Sequence, residues 1–353
     1  MSLDKLRGQI DRLDAQIVAR LHERACLARE AAAHKRAAGD APYDPARERQ
    51  LLDRLVAQHP GELPAAALLG IYQEIIAATR ALQAPLTIAF AGQPGAFTHQ
   101  AALRRFGHQV SMQPAGGIAE VFDAVEKGDA DHGVVPIEDA AEGVYIHTLE
   151  RLGRSQLSIC SELYLPLTHS LLGNAPIEDI QRVYLAPEAR EQCRRWLGGN
   201  VRGAEWVEAP NTGRAAEQAA ADAAGACVGP NLAAQVYGLA VIADHIEDDA
   251  SLEGRFLVLG RSDARPSGSD KTTVMVALKD EPGALYRALE VFARHRLNLT
   301  MVQSRPSHHT DWEDVFFLDV LGHRTEAPLA TALTELAAAC LHVRVCGSYP
   351  QGK

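Results

Sequence analysis

The chain has 353 residues, enough for two or three domains, and a formal net charge of -10. This charge argues against a general nucleic-acid binder and against a partner of anionic membranes. No apolar run is long enough to cross a bilayer, and the charged, amphipathic start of the chain is unlike a leader peptide. The six cysteines are scattered, with no CxxC pair, so we expect a cytoplasmic protein with reduced thiols, no metal site and no cofactor.

Residues 1–84 are predicted to be entirely helical. Apolar residues recur every three or four positions from about residue 2 to 38, where "AGDAP" ends the pattern. One helix over this stretch would be about 50 Å long, so it must pack against a long partner or another chain. Two further helices are predicted over 45–58 and 64–83, separated by "HPGELP".

The start of the second predicted helix, "YDPARERQLL", combines a good N-cap with an unusual charge. Asp44 suits the N-cap and Pro45 the first helical position, but Arg47 and Arg49 oppose the helix dipole. The arginines are either solvated surface charges or part of an anion site that also uses the helix N-terminus.

Cations also border the apolar stripe of the first helix. Arg24 continues the stripe and shares a face with Lys35, and an unpaired cation is costly to bury without an anionic partner. Arg7 lies 17 residues earlier, roughly 25 Å along the axis, so Arg7 and Arg24 of one helix cannot reach the same small ligand. The pattern therefore predicts a dimer with shared sites.

Residues 3–83 resemble the intertwined, all-helical chorismate mutase domain. The positions that match its motif are Arg7, Arg24, Lys35, Asp44, Arg47, Glu48, Thr79 and Gln83. The resemblance implies that Arg24, Arg47 and the partner subunit's Arg7 bind the two carboxylates of chorismate. It also implies that Lys35 and Gln83 face the ether oxygen and that Glu48 faces the ring hydroxyl. This concerted rearrangement to prephenate needs a compact substrate and charge stabilisation, but no nucleophile and no proton transfer.

From residue 85 to 262, short apolar strands alternate with helical stretches such as 98–106, 118–128 and 187–197, which predicts an α/β domain with mainly parallel strands. The motifs "FAGQPGAFTHQAA", "GVVPIED" and "GRFLVLG" resemble the prephenate dehydratase domain, a two-lobed fold like the periplasmic binding proteins. The resemblance implies a ligand cleft between the lobes, formed by Gly92, Gly95, Phe97, Thr98, Glu138, Asp139, Glu188, Gly254, Arg255 and Phe256.

The dehydratase motifs depart from the family at hydrogen-bonding positions. Gly254 stands where the family has its proton-donating threonine, and other family hydrogen-bonding residues are replaced at Ala96, Asp139, Ala140 and Leu252. Because departure of a hydroxyl needs an acid, three alternatives stay open. The domain dehydrates prephenate with another donor, decarboxylates it without dehydration, or binds a ligand without catalysis.

The alternative donors for dehydration are a water, Thr98, or protonated Glu188 or Asp139. Arg255 is interpreted as a carboxylate ligand, with a plain edge charge as the alternative. His169, on an apolar strand, is interpreted as a core histidine whose hydrogen bonds are satisfied.

A polar linker, "RSDARPSGSD", precedes a strand–helix–strand–strand–helix–strand pattern over residues 270–350, which is typical of a ferredoxin-like α+β fold. The stretches "DEPGALYRAL" and "NLTMVQSRP" resemble the motifs of the amino-acid-binding ACT domain, with Gln303 in place of a glutamate. A glycine at a helix start lets the backbone approach a carboxylate. The resemblance implies phenylalanine bound across a dimer interface by Gly283, Ala284, Leu285, Asn298, Ser304 and Arg305.

The order of the segments 1–84, 85–262 and 270–350 resembles the bifunctional chorismate mutase/prephenate dehydratases of phenylalanine biosynthesis. It implies a multidomain enzyme that converts chorismate to prephenate and then to phenylpyruvate, with feedback by phenylalanine. We expect a homodimer or homotetramer with no nucleic-acid or membrane partner. The alternatives are a regulated mutase whose middle domain is inactive or performs non-aromatising chemistry, and a non-catalytic amino-acid-sensing protein.

Overall fold

The fold was analysed in a computed structural model, which describes residues 2–38, 43–58, 61–83, 85–139, 143–306 and 314–352. The replaced family position Ala140 lies outside these residues. The chain divides into two compact units. The helical unit comprises residues 1–86 and 106–111, and the sheet unit comprises residues 87–105 and 112–353.

The helical unit contains the three predicted helices: α1 (Leu3–Ala38), α2 (Pro45–Ala57) and α3 (Ala65–Ala81). The helix starts follow local chemistry, since the Asp44 side chain accepts a hydrogen bond from the backbone N–H of Arg47 at 3.0 Å and Pro45 opens α2. Both α1 and α2 pack against α3. Within the described residues, no helix combines the length and the apolar character needed to span a bilayer.

The first part of the sheet unit is built from eleven strands and seven α-helices in the described residues, with one 3₁₀ turn at Ile177–Asp179. The strands are β1 (Thr87–Ala91), β2 (Ser111–Ala115), β3 (His132–Asp139), β4 (Gly143–Val144), β5 (Ser158–Pro166), β6 (Ser170–Gly173), β7 (Arg182–Leu185), β8 (Glu205–Glu208), β9 (Gly225–Gly229), β10 (Ala240–Ala243) and β11 (Glu253–Gly260). The helices are α4 (Phe97–Phe106), α5 (Ile118–Lys127), α6 (Ile146–Arg154), α7 (Pro187–Gln192), α8 (Arg194–Asn200), α9 (Thr212–Ala220) and α10 (Asn231–Tyr237).

These strands form two sheets, so the predicted two-lobed α/β architecture is confirmed. The strand orders are β2-β1-β3-β11-β5, with β4 paired to β3, and β10-β6-β9-β7-β8. The expectation of mainly parallel strands is wrong, because β11 runs antiparallel to both β3 and β5, and β6 runs antiparallel to β9 and β10. Only helical crossovers such as β1–α4–β2–α5–β3 favour parallel pairing, whereas β11 returns to the first sheet after the chain has built the second sheet.

The last part of the sheet unit has the predicted ferredoxin-like order. Its elements are β12 (Asp270–Leu278), α11 (Ala284–Arg294), β13 (Leu299–Pro306), β14 (Asp314–Leu321), α12 (Ala327–Ala339) and β15 (His342–Pro350). The sheet order is β13-β14-β12-β15, and each neighbouring pair is antiparallel. β13 therefore forms one edge of this sheet.

One hydrophobic core joins the first sheet to the ferredoxin-like part. It includes Phe122 and Leu149 from the first sheet's layer together with Met275, Phe317 and Tyr349 from the ferredoxin-like part, all buried. Strands β5 and β15 also lie against each other. Ala264, in the polar linker, is buried as well, so the linker is packed against the protein and does not act as a flexible spacer.

Candidate active sites

The helical unit leaves the apolar stripe of α1 uncovered. Leu3, Leu6, Ile10, Leu13 and Ile17 all lie on this stripe and all are exposed, with Leu13 at 57%. Most of the stability of a protein helix comes from burying such a face. The stripe is therefore the part of this unit that still needs a partner.

Arg24 meets the third helix at the C-terminal end of this stripe. Its Nη1 donates to Oγ1 of Thr79 at 2.9 Å, and Thr79 in turn donates to the backbone carbonyl of Ile75 at 2.8 Å. Two residues of the predicted mutase set are thus brought together by α1 and α3, with the guanidinium half-buried.

Glu48 of the predicted set is held by an arginine that sequence reasoning missed. Nη1 of Arg80 lies 2.5 Å from Oε1 of Glu48, and Nη2 donates to the carbonyl of Phe106 at 2.8 Å. The guanidinium also lies 5.4 Å from the ring centroids of Tyr43 and Phe106. The available sequence signal was the position of Arg80 directly after Thr79, but nothing in the spacing pointed to Glu48.

The remaining mutase positions differ in their exposure. Arg47 is exposed beside the N-cap Asp44, while Lys35 and Gln83 are half-buried. Arg7 is 67% exposed near the start of α1, with its nearest carboxylate, Asp4, 4.0 Å away. Because α1 is one uninterrupted helix, Arg7 and Arg24 of the same chain remain separated along its length.

A cavity of about 340 Å³ lies in the sheet unit, lined by strands of the first sheet and by helices and loops next to both α/β sheets. It brings together eight of the ten residues predicted for the dehydratase-like cleft: Gly92, Phe97, Thr98, Glu138, Asp139, Glu188, Gly254 and Phe256. Gly95 instead lies against α10, and only a glycine fits there without crowding, since a Cβ atom at this position would lie 3.0 Å from the backbone of Ala233. Arg255 does not line the cavity either.

The cavity has an unusual charge pattern for a site that receives an anion. Among the described residues that line it, Glu138, Asp139 and Glu188 are carboxylates, and none is a lysine or arginine. Its wall does include the first residues of α4, α5 and α9, together with Glu188, the second residue of α7. The free N–H groups at helix N-termini favour anions. In this cavity they can attract a carboxylate, as arginine and lysine side chains can in the helical unit.

Two of the hydroxyl or acid groups predicted as donors are already engaged. The Thr98 hydroxyl donates a short hydrogen bond to the carbonyl of Ala91. Asp139 is buried and accepts a hydrogen bond from the phenol of Tyr145 at 3.0 Å. Glu188 is half-buried on the cavity wall.

His169 was predicted to be a core histidine whose hydrogen bonds are satisfied. Its burial and its hydrogen bond to Gln192 agree with this prediction, but its second ring nitrogen does not. The ring is 1% exposed and lines the cavity, with Nε2 lying 2.6 Å from Oε1 of Gln192. Its Nδ1 is buried without a hydrogen-bond partner, and the same holds for Nε2 of Gln192. Burial lowers the pKa of His169, although the Gln192 hydrogen bond and the charges of Glu247 and Asp139 act in the opposite direction. Sequence reasoning missed this pair because an apolar strand around a histidine is also the pattern of a packed core.

Arg255 belongs to a buried charge cluster on the other face of β11. Because side chains alternate along a strand, Gly254 and Phe256 face the cavity and Arg255 faces away from it. Its guanidinium is 4% exposed and lies 2.7 Å from Glu162 and 2.6 Å from Asp319 of β14. Lys271 of β12 lies 2.8 Å from Glu162. Burial opposes the charge of Arg255, but its contacts with Tyr349, Asp319 and Glu162 raise its pKa.

A smaller cavity of about 200 Å³ lies at the start of α11. Gly283, Ala284 and Leu285 line it, and Gly283 has φ +81°, a conformation that favours glycine. The other predicted effector residues, Asn298, Ser304 and Arg305, do not line this cavity. Ser304 and Arg305 lie on β13, the edge strand of the sheet.

Comparisons with known proteins assign all three segments. Residues 6–84 match the family chorismate mutase type II, residues 88–264 match prephenate dehydratase, and residues 272–338 match the ACT domain. The chain is 40% identical to the bifunctional chorismate mutase/prephenate dehydratase of Aquifex aeolicus, over 99% of this chain and 98% of that protein.

Two solved structures resemble the sheet unit. The prephenate dehydratase of Arthrobacter aurescens, solved in complex with L-Phe, is 32% identical with a TM-score of 0.71, over 75% of this chain and 90% of that chain. GqqA, described as a novel type of quorum-quenching acylase, is 30% identical with a TM-score of 0.68, over 75% of this chain and 97% of that chain. With its full-length relative and three family matches in the expected order, the chain belongs to the family of bifunctional chorismate mutase/prephenate dehydratases.

Proposed function

We propose that the chain converts chorismate to prephenate in sites shared by two copies of the helical unit, and prephenate to phenylpyruvate in the large cavity of the sheet unit. Phenylalanine bound near α11 regulates this sequence of reactions. The observation that carries the proposal is the placement of Arg24 against Thr79 on a continuous helix whose apolar stripe is bare and whose Arg7 lies far from Arg24.

A second copy supplies both missing parts of the mutase site. It covers the exposed stripe of α1, which removes apolar surface from water, and an antiparallel α1 brings the partner's Arg7 to the Arg24 end of the helix. Arg24, Arg47 and the partner's Arg7 then bind the two carboxylates. Their converging charges hold chorismate in its compact conformer, which is the main task of this catalyst.

The remaining mutase residues act on the atoms that change. Lys35 and Gln83 face the ether oxygen and stabilise the negative charge that develops there as its bond to carbon breaks. Glu48 accepts the ring hydroxyl's hydrogen bond, with Arg80 holding its other side. Support for this arrangement is the pairing of Glu48 with Arg80 and the match of the whole residue set to the family motif.

The dehydratase step uses the large cavity. The N-termini of α4, α5 and α9 at its wall suit the two carboxylates of prephenate. For the regulatory step, the backbone N–H groups at Gly283 suit the carboxylate of an amino acid, and the edge strand β13 of a second copy brings Ser304 and Arg305 to the same site. The scattered cysteines support a cytoplasmic location as part of the proposal.

Subunit complementation tests the shared mutase site. The Arg7→Ala and Arg24→Ala chains are made with different tags, and each homodimer is expected to lose mutase activity. In a mixed dimer, one site combines Arg24 of the first chain with Arg7 of the second and is therefore intact. The purified mixed dimer should regain about half of the wild-type rate.

The control is a dimer in which both chains carry Arg24→Ala, one with each tag. This dimer should stay inactive. If the Arg7→Ala/Arg24→Ala mixed dimer is no more active than this control, each site is formed within one chain. A wild-type protein that sediments as a monomer while consuming chorismate would contradict the proposal in the same way.

A further inference from the structure

Departure of the prephenate hydroxyl as water needs a proton, and the cavity has lost the family's donor at Gly254. The hydroxyl of Thr98 is directed to the carbonyl of Ala91, and the phenol of Tyr145 to Asp139. Neither is free to deliver a proton to a substrate without breaking a hydrogen bond inside the protein. The donor must therefore come from another group on the cavity wall.

On this wall, His169 and Gln192 each have a fully buried hydrogen-bonding atom without a partner in the described residues. Nδ1 of His169 and Nε2 of Gln192 are both buried without partners, and both residues line the cavity. A buried polar atom without a partner costs free energy, roughly 1–3 kcal/mol, so a substrate group that reaches either atom gains a hydrogen bond and removes this cost. Phe97, whose ring meets the imidazole edge-on at 5.1 Å between centroids, lies on the same wall.

We propose that His169, oriented by Gln192, is the acid that protonates the departing hydroxyl of prephenate. The inference rests on the proposed dehydratase function and names its proton donor. As the bond from the ring to its carboxylate breaks and carbon dioxide leaves, the electron pair enters the ring and expels the hydroxyl. The hydroxyl takes the proton of the imidazolium and leaves as water, so that phenylpyruvate forms and His169 becomes neutral. Solvent then returns one proton to His169 for the next turnover.

The charges around His169 explain how it acquires the proton. Burial favours the neutral ring in the empty cavity, whereas Asp139 of β3 and Glu247 after β10 favour the charged ring. Glu138 and Glu188 are the other carboxylates on the cavity wall. The thiol of Cys193, next to Gln192, is kept neutral because burial raises its pKa. The two carboxylates of an arriving prephenate add negative charge near the ring and favour its protonated form, against the effect of burial.

The experiment follows phenylpyruvate formation from added prephenate by the purified full-length protein across the pH range. His169→Asn keeps a hydrogen-bonding group near the position of Nδ1 but cannot carry the proton. We expect its kcat to fall by roughly 10²–10⁴-fold with little change in KM, and the pH dependence of kcat to flatten. The matched control is His147→Asn, the same substitution at a histidine that is 83% exposed, which should leave the rate unchanged. The thermal midpoint of each variant checks its folding.

A second variant gives a signature that a purely structural role would not produce. Gln192→Glu places a negative charge beside Nε2 of His169 and so raises the pKa of the ring. Because the reaction needs the protonated ring, the decline of kcat with rising pH should move to higher pH. An unmoved decline, or a folded His169→Asn protein with a kcat within about threefold of wild type, would overturn the assignment. A wild-type protein that makes no phenylpyruvate would overturn the dehydratase function itself, and this is seen before any substitution is made.

Discussion

The helical unit and the large cavity of the sheet unit are incomplete in opposite ways. In the helical unit every residue of the predicted mutase motif is present, but a single copy leaves α1 uncovered and Arg7 remote from Arg24. The cavity is formed by one chain, but Gly254 and the other replaced positions lack side chains that the family uses. Retention of a motif and completeness of a site are therefore separate properties, and the first is visible in sequence while the second requires the structure.

The largest expected effect concerns the buried charge cluster that connects strands of the first sheet to strands of the ferredoxin-like part. Arg255→Met leaves Glu162 and Asp319 without their shared cation at a site that is 4% exposed or less. We expect the free energy of unfolding to fall by about 3–5 kcal/mol, measured by urea denaturation, because a buried charge has lost its partner. The matched control is Arg261→Met, whose side chain is 50% exposed and lies 3.9 Å from Asp131, and we expect it to cost less than about 1 kcal/mol.

The stability of Arg255→Met should also depend on pH differently from that of wild type. Burial would raise the pKa of Glu162, but Arg255 and Lys271 lower it below its ordinary value. A group whose pKa is lower in the folded state stabilises the protein above its unfolded pKa, and this stability is lost as the pH falls below about 4. Arg255→Met raises the folded-state pKa of Glu162 toward its unfolded value, so the variant should lose less stability than wild type as the pH falls below about 4. If Arg255→Met and Arg261→Met lower the free energy of unfolding equally, the buried cluster contributes no more to stability than a surface ion pair.

The next effect concerns the helical unit alone. Arg24→Ala removes a half-buried guanidinium that reaches Thr79. We expect the rate of chorismate consumption to fall by roughly 10²–10³-fold, which is the usual loss when one preorganised hydrogen-bond donor is removed from an active site. The rate on added prephenate should not change. The control is Arg20→Ala on the same helix, an 81% exposed residue that pairs with Glu23. Near wild-type mutase turnover in a folded Arg24→Ala protein would contradict the site assignment.

The smallest effect concerns the effector cavity. Gly283→Ala forces alanine into a left-handed conformation at the start of α11, which costs about 1–2 kcal/mol, and places a methyl group at the proposed carboxylate site. We expect phenylalanine to bind more weakly and to inhibit less, as measured by calorimetry and by the rate on prephenate. Gly268→Ala is the matched control, since Gly268 also has positive φ, at +93°, but lies outside this cavity. Equal phenylalanine affinity in both variants would remove Gly283 from the site.

Local chemistry made much of the fold predictable. The N-cap Asp44, the proline at α2 and the three-to-four spacing along α1 set helix bounds that the structure reproduces within about two residues. The ferredoxin-like order followed from the same kind of signal. The direction of β11 did not, because strand direction in the first sheet depends on where the chain returns after building a second sheet, and this leaves no local trace.

Site residues on known motifs could be proposed from sequence, but their contacts could not. Eight of the ten cleft residues line one cavity, yet strand alternation turns Arg255 away to Asp319 and Glu162. The unpartnered atoms of His169 and Gln192 come from separate elements brought together by packing. No spacing in the chain relates these two residues, so only the structure could expose them.

The central claim is that one chain carries out both reactions, and the fold does not guarantee it, since GqqA, described as an acylase, has a similar sheet unit. The most direct test adds chorismate to the purified protein and follows chorismate, prephenate and phenylpyruvate over time. We predict that prephenate rises and then falls as phenylpyruvate forms with release of carbon dioxide. Prephenate that persists, or a decarboxylated product that keeps its ring hydroxyl, would contradict the account.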